Sequence, residues 1–262
     1  NPFFVEQMLL YLQEEGLLEQ IEAGQQAQFA DTLPTDARAL LVARLDRLTL
    51  EVRTVVQQAS VLGREFEINI LEAVTDTTLD LSTQLQTGTE DAIWFPLSDQ
   101  RYIFKHALLR DAAYKMQVRS RRRILHEKTA VAYETIYKTD TSAHYGQIAY
   151  HYDEAAVTVK ALNYYERAAM QAKSNYHNEE TLTFFGHALR LAAQDNTELR
   201  YRLLMEREEV YGWLGSRTEQ AQDLAQLDQL LETQTDNHKH ANLALRHSAY
   251  ALVMGQYNDA VT

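Results

Sequence analysis

Residues 101–128 read RYIFKHALLRDAAYKMQVRSRRRILHEK. The stretch carries nine Lys or Arg against two acids, in a chain whose formal net charge is -12. Such a run can be a nucleic-acid surface, a phosphate-holding site or the solvated face of a helix. Its place in the chain decides among them. The chain has 262 residues, 45% of them apolar and 24% charged, which is ordinary for a folded protein and enough for one large domain or two smaller ones. No apolar run approaches the ~20 residues that span a bilayer. Cysteine is absent, which excludes disulfides and thiol chemistry and fits a reducing compartment, so the expected location is cytoplasmic.

The opening residues, NPFFVEQMLLYL, have neither an initiator Met nor the basic start of a signal peptide. The closing ones, GQYNDAVT, stop inside an amphipathic pattern. The expectation is an excerpt of a longer protein. Only three prolines and nine glycines interrupt it. Apolar residues recur at three- and four-residue spacing, as in Leu40, Val42, Ala43, Leu45 and Leu48, which is helical periodicity. The exception is AIWFPLSDQRYIFKH, residues 92–106, where aromatic and β-branched residues flank a Pro-Leu-Ser-Asp-Gln turn and predict a β-hairpin.

Three segments follow. Residues 1–48 predict a helix from Pro2 to Glu15, a polar stretch, and a second helix after Leu33-Pro34 with Thr35 as N-cap. Residues 49–118 predict helices near 50–62, 67–75 and 78–91 and then the hairpin, a winged-helix arrangement. Residues 119–262 predict amphipathic helices near 120–138, 143–155, 159–175, 178–193, 198–214, 218–234 and 238–254. Gly215 and Gly255 lie forty residues apart, each ahead of a new helix. Small and aromatic positions recur as Ala161, Tyr165, Ala168 and as Thr181, Phe185, Ala188. Small residues let helices approach and aromatics fill the space beside them, the logic of tetratricopeptide-type repeats. The expected fold is all-α: a helical lid and a winged helix with one small hairpin, followed by a tetratricopeptide-like α-solenoid.

Five pieces occur in one order: NPFFVEQMLLYLQEEGLL, LPTDARALLVARLDRL, VVQQASVLGREFEINILEAV, YIFKHALLRDAAY and RRRILHEKTA. Together they resemble the C-terminal half of bacterial signal-transduction ATPases with numerous domains, the STAND class. The resemblance covers roughly residues 1–195 by motif and the rest by architecture. It implies the helical lid, winged helix and repeats that follow an AAA-type nucleotide-binding core, in proteins often fused to class III cyclases, kinases or DNA-binding output domains. The implied role is regulatory. Lid and winged helix close over ADP or ATP held by the core, and the repeats bind a protein or small-ligand signal. Asn1-Pro2 matches the end of a Gly-x-Pro motif whose proline packs on adenine, although proline also suits the first turn of any helix. KHALLRDAAY is similar to a Met-His-Asp motif whose histidine bonds the β-phosphate of ADP, which makes His106 the candidate contact. Lys105 and Ala107 depart from that motif. The arginines beyond it, Arg119, Arg121, Arg122 and Arg123, read as a solvated helix face or as exposed pairs contributing ~0–1 kcal/mol each.

The core is missing from these residues. No G-x-x-x-x-G-K-[ST] occurs, so no backbone cradle and lysine can hold a β-phosphate. The fragment is expected to be no enzyme and to hold no metal and no cofactor of its own. Histidines are scattered without an H-E-x-x-H pattern, and there is no G-x-S-x-G elbow. Glu206, Glu208 and Glu209 among Arg202 and Arg207 read as a salt-laced helix face. Tyr152, Tyr164 and Tyr165 are candidates for a concave surface facing a partner, with core packing as their other reading. A plain tetratricopeptide-like scaffold and a winged-helix DNA-binding regulator remain as alternatives. Against DNA stands the helix TLDLSTQLQTGTED, residues 78–91, with three acids and no base where phosphate contacts would be needed.

Overall fold

The computed structural model describes residues 37–75, 78–232 and 234–255. The expected helix at Pro2–Glu15, Pro2 itself and the Thr35 cap lie outside them. The described residues are mostly helical, with one small three-stranded antiparallel sheet. They fall into two compact units that divide after Ile136.

The first unit contains α1 (Ala37–Arg47), α2 (Leu50–Leu62), β1 (Glu65–Glu67), α3 (Ile68–Val74), α4 (Leu81–Glu90), β2 (Trp94–Ser98), β3 (Arg101–Phe104), α5 (Ala107–Lys115) and α6 (Arg119–Ile136). Thr49 caps α2 by accepting from Val52 N at 3.3 Å, and Asp80 caps α4 by accepting from Thr83 N at 3.4 Å. Gly63 ends α2 at φ +143°, a conformation that side chains resist, and turns the chain straight into β1. The expected hairpin is β2–β3. The sheet has a third member that sequence periodicity did not signal, since β1 pairs with β3 through Glu65–Ile103, Phe66–Tyr102 and Glu67–Arg101. The strand order is β1-β3-β2.

Aromatic rings from all three strands form the centre of this unit. Phe66 lies 5.5 Å from Trp94 and 5.6 Å from Phe104, and Trp94 lies 5.7 Å from Phe104. The Trp94 indole is fully buried and donates to the Leu85 carbonyl of α4 at 3.0 Å. It lies against Gly88, where an added Cβ would overlap the indole ring. Gly88→Ala gains helix propensity of about 1 kcal/mol but forces the strain of an overpacked core, about 1–3 kcal/mol. Net destabilisation of up to about 2 kcal/mol is expected, read as a lower urea midpoint at unchanged slope.

Helix α6, read from the sequence as the entrance to the repeats, packs on α3 and α2 and is counted with this first unit. Its buried face is Leu125, His126, Thr129, Ala130, Ala132 and Tyr133.

The second unit opens with a 3-10 turn (Ser142–His144), followed by α7 (Tyr145–Glu154), α8 (Thr158–Ser174), α9 (Asn178–Leu191), α10 (Thr197–Leu214), α11 (Arg217–Leu231) and α12 (Asn237–Val253). Each helix packs on the next. Buried alanines of α8 (Ala161, Ala168, Ala169, Ala172) allow close approach, and Phe185 of α9 is fully buried. Three turns repeat one geometry. Ala156, Tyr176 and Gly215 adopt φ of 63°, 59° and 71°. The next amide in each case reaches back five residues along the ending helix, as Val157 N to Tyr152 O, His177 N to Ala172 O and Ser216 N to Tyr211 O. Ion pairs also link alternate helices: Glu166–Arg202 at 2.8 Å, Lys173–Glu206 at 2.5 Å and Glu209–Arg246 at 3.1 Å.

Candidate functional site

The basic stretch has no single fate. Arg101 pairs with Glu65 at 3.1 Å on the exposed sheet, and the Lys105 ammonium lies 5.9 Å from the Phe95 ring centre. Arg110 and Arg122 stand over the Tyr114 ring at 5.0 and 4.7 Å. Arg119, Arg121 and Arg123 are exposed and form no ion pair among the described residues. The solvated-face expectation therefore holds for three arginines. It does not hold for Arg122, which is half-buried on an aromatic ring because α6 turns that face toward α5.

His106 occupies the junction of β3 and α5. Lys105 N bonds the Ile93 carbonyl at 2.9 Å, which fixes the end of the strand pair. His106 then serves as N-cap residue at φ -130°, ψ 131°, and its carbonyl accepts from Leu109 N and Arg110 N at 3.1 and 3.4 Å. Its imidazole makes no capping bond to the helix and is half-buried. The opening turn of α5 presents backbone N–H groups and the positive end of the helix dipole, the elementary requirement for holding an anion.

A second histidine of the basic stretch lies on the next helix, where no sequence pattern signals its burial. His126 of α6 is fully buried, and its Nε2 lies 2.9 Å from the Tyr114 hydroxyl. Burial first, and then the charges of Arg110 and Arg122, push its pKa down to about 4. It is a neutral hydrogen-bonding residue. Arg110 closes the cluster by donating from Nε to the Ser60 carbonyl at 2.7 Å, and Gln117 ties α5 to α2 through the Gln57 carbonyl at 2.9 Å.

The three tyrosines do not share one surface. Tyr152 is fully buried, accepts from the Lys160 ammonium at 2.8 Å and stacks on Tyr164 at 6.0 Å. Tyr165 is 3% exposed, stacks on His187 at 4.8 Å and donates to Asp153 at 3.2 Å. Burial, reinforced by Asp153, raises its phenol far above the ordinary value. Both rings fill the contacts between neighbouring helices, so of the three candidates only Tyr164 is partly exposed.

The salt-laced face on α10 also needs correction. Glu206 and Glu209 do pair across helices, with Lys173. Glu208 is 1% exposed and accepts from Gln220 at 2.6 Å. Arg207 makes a two-pronged pair with buried Asp223 of α11, at 2.9 and 2.5 Å. His247 lies 3.1 Å from Asp228, and among the described residues no group of three His, Asp or Glu side chains could hold a metal ion. No helix of the described residues is long and apolar enough to cross a membrane. Comparison with protein-family models, with curated proteins and with solved structures finds no match to this chain.

Proposed function

We propose that this chain is the regulatory part of a STAND-type signalling ATPase. In that reading residues 1–48 are the lid, 49–118 a winged helix, and the helices that follow a tetratricopeptide-like solenoid that senses a signal. The single observation that carries the reading is the order helix, strand, helix, helix, strand, strand with sheet order β1-β3-β2, leading without a loop into His106 at the head of α5. This order supports a winged helix, and its end presents an imidazole and a helix start together. The solenoid is supported by the repeated turns and by ion pairs between alternate helices. ADP or ATP would be held by a nucleotide-binding core supplied from outside these residues, with His106 donating to the β-phosphate in the closed state. The signal must bind open and closed forms with different affinity to shift the switch. The proposed compartment is the cytoplasm. Helix α4 has no Lys or Arg, which weighs against the DNA-binding alternative.

The test uses the longer protein that contains the core. A hydrogen bond to a charged group contributes ~1.5–3 kcal/mol, roughly a ten- to hundredfold change in a two-state equilibrium. His106→Ala should release ADP faster by about that factor and raise signal-independent output, with circular dichroism unchanged. Arg121→Ala, exposed and unpaired among the described residues, should alter neither. Wild-type ADP affinity and basal output in His106→Ala would reduce the histidine to a packing residue and favour the scaffold alternative.

A further inference from the structure

Helix α6 buries one face against α2 and α3 and leaves the adjoining face bare. Two hollows run along that bare face. One, of about 790 Å³, lies between the start of α2, the end of α3 and the first half of α6. The other, of about 600 Å³, lies between Ala73 of α3 and the second half of α6. Ile124 and Lys128 line both, so the two form one groove. Its apolar walls are bare: Leu50, Val118, Ile124 and Val131 are 74%, 67%, 56% and 44% exposed. Neighbouring apolar side chains left in water together mark a surface that something covers.

The charge around the groove says what suits it. Lys128 lies on it, Arg119 and Arg123 stand exposed on the same helix, and none of the three forms an ion pair among the described residues. Glu51 and Glu127 also line it, which leaves an excess of positive charge in a chain of net charge -12. The residues ahead of α1 have the complementary pattern. Residues 1–24 contain Glu6, Glu14, Glu15, Glu19 and Glu22 and no Lys or Arg. In the helix expected at Pro2–Glu15, Phe4, Val5, Met8, Leu9 and Leu12 share one stripe, and Leu10 falls on the opposite side. That helix is about 21 Å long, and Val118 to Val131 covers about 20 Å. Residues 16–36 can span up to ~70 Å, about twice the width of a unit of this size, so the segment can reach α6 of its own chain. The tether also presents it at an effective concentration on the order of millimolar, an advantage no separate protein has.

We infer that Pro2–Glu15 docks as an amphipathic helix in the α6 groove of its own chain, with Phe4, Met8 and Leu12 against Ile124 and Val131 and its carboxylates beside the α6 bases. The contact needs neither nucleotide nor core, so it goes beyond the ATPase reading and can fail separately from it. Where both hold, α6 and the core compete for one helix.

The chain has no cysteine, so two introduced ones report a single contact. Met8→Cys is combined either with Ile124→Cys in the groove or with Leu97→Cys on β2, sites exposed to a similar degree at 56% and 51%. The full chain is brought to equilibrium in glutathione buffer and the disulfide yield is read on a non-reducing gel. A segment that is tethered but undocked meets both sites alike, whereas docking should favour the Ile124 pair roughly tenfold or more, within the monomer band. Adding Leu12→Glu should abolish that preference. Leu10→Glu, equal in charge but on the opposite side of the helix, should keep it. Lys128→Glu should lower the preference about two- to fivefold, the worth of one exposed pair. Equal yields at the two sites, or equal effects of Leu10→Glu and Leu12→Glu, overturn the proposal. A disulfide formed only between chains overturns the chain's own segment as occupant and assigns the groove to a second copy.

Discussion

Arg207→Ala is expected to lower the stability of the helical unit by about 3–5 kcal/mol, the usual cost of leaving one partner of a buried pair alone. The cause is Asp223, whose side chain is 1% exposed and whose two oxygens both bond the guanidinium. Burial already raises the Asp223 carboxyl, with Arg207 pulling it back down. Without Arg207 the carboxylate has neither water nor counter-charge. A melting midpoint lower by on the order of 10 °C is expected for a chain of this size. The double variant Arg207→Ala, Asp223→Ala should recover part of the loss, since it removes the stranded charge as well. A double variant as unstable as the sum of the singles would mean that packing, not the charge, holds α10 to α11.

The second large effect is acid sensitivity of the first unit, carried by His126. In the unfolded chain its imidazole titrates at 6.5, and in the folded chain at about 4. Above pH 6.5 both forms are neutral and the stability is fully present. As pH falls below that value the unfolded chain gains a proton that the folded chain refuses, so stability is lost down to about pH 4. Linkage gives a loss of about 2 kcal/mol by pH 5 and about 3 kcal/mol near pH 4. Urea denaturation at pH 7.5 and pH 5 measures it. His126→Gln can still meet the Tyr114 hydroxyl, and it should flatten this part of the pH profile. A wild-type slope in His126→Gln would assign the acid sensitivity to other groups.

Both sites show where sequence reading stops. Helices with strong three- and four-residue periodicity were legible almost to the residue: 178–193 is found as Asn178–Leu191, and 198–214 as Thr197–Leu214. The β2–β3 hairpin was legible because its turn and its alternating aromatics are local. Strand β1 was not, because three residues after Gly63 carry no period and their partner lies 36 positions away at Glu65–Arg101 and its neighbours. The recurring turns were visible only at Gly215 and Gly255. Ala156 and Tyr176 adopt the same left-handed backbone without a glycine to announce it. Arg207 and Glu208 looked like solvent-facing charges because a local charge pattern cannot say which face a later helix will cover. His126 lay inside a quoted motif, yet its partner Tyr114 is on another helix. His106 stands where the sequence puts it, between a strand and a helix, because both neighbours are local patterns, and its phosphate contact is a proposal built on that placement. The groove along α6 was missed because its walls come from helices that the sequence keeps apart.

The pairs that join every second helix, Lys173 to Glu206 and Glu209, and Glu209 onward to Arg246, make this edge of the unit a chain of shared handholds. Stacked helices that touch only their neighbours can fray one at a time from an end, each step independent of the rest. Here Glu209 grips α8 and α12 at once, so losing the last helix also loosens the grip on one two places earlier. A disturbance at one end is thereby transmitted inward along the edge, as a slackened rope is felt at the next knot.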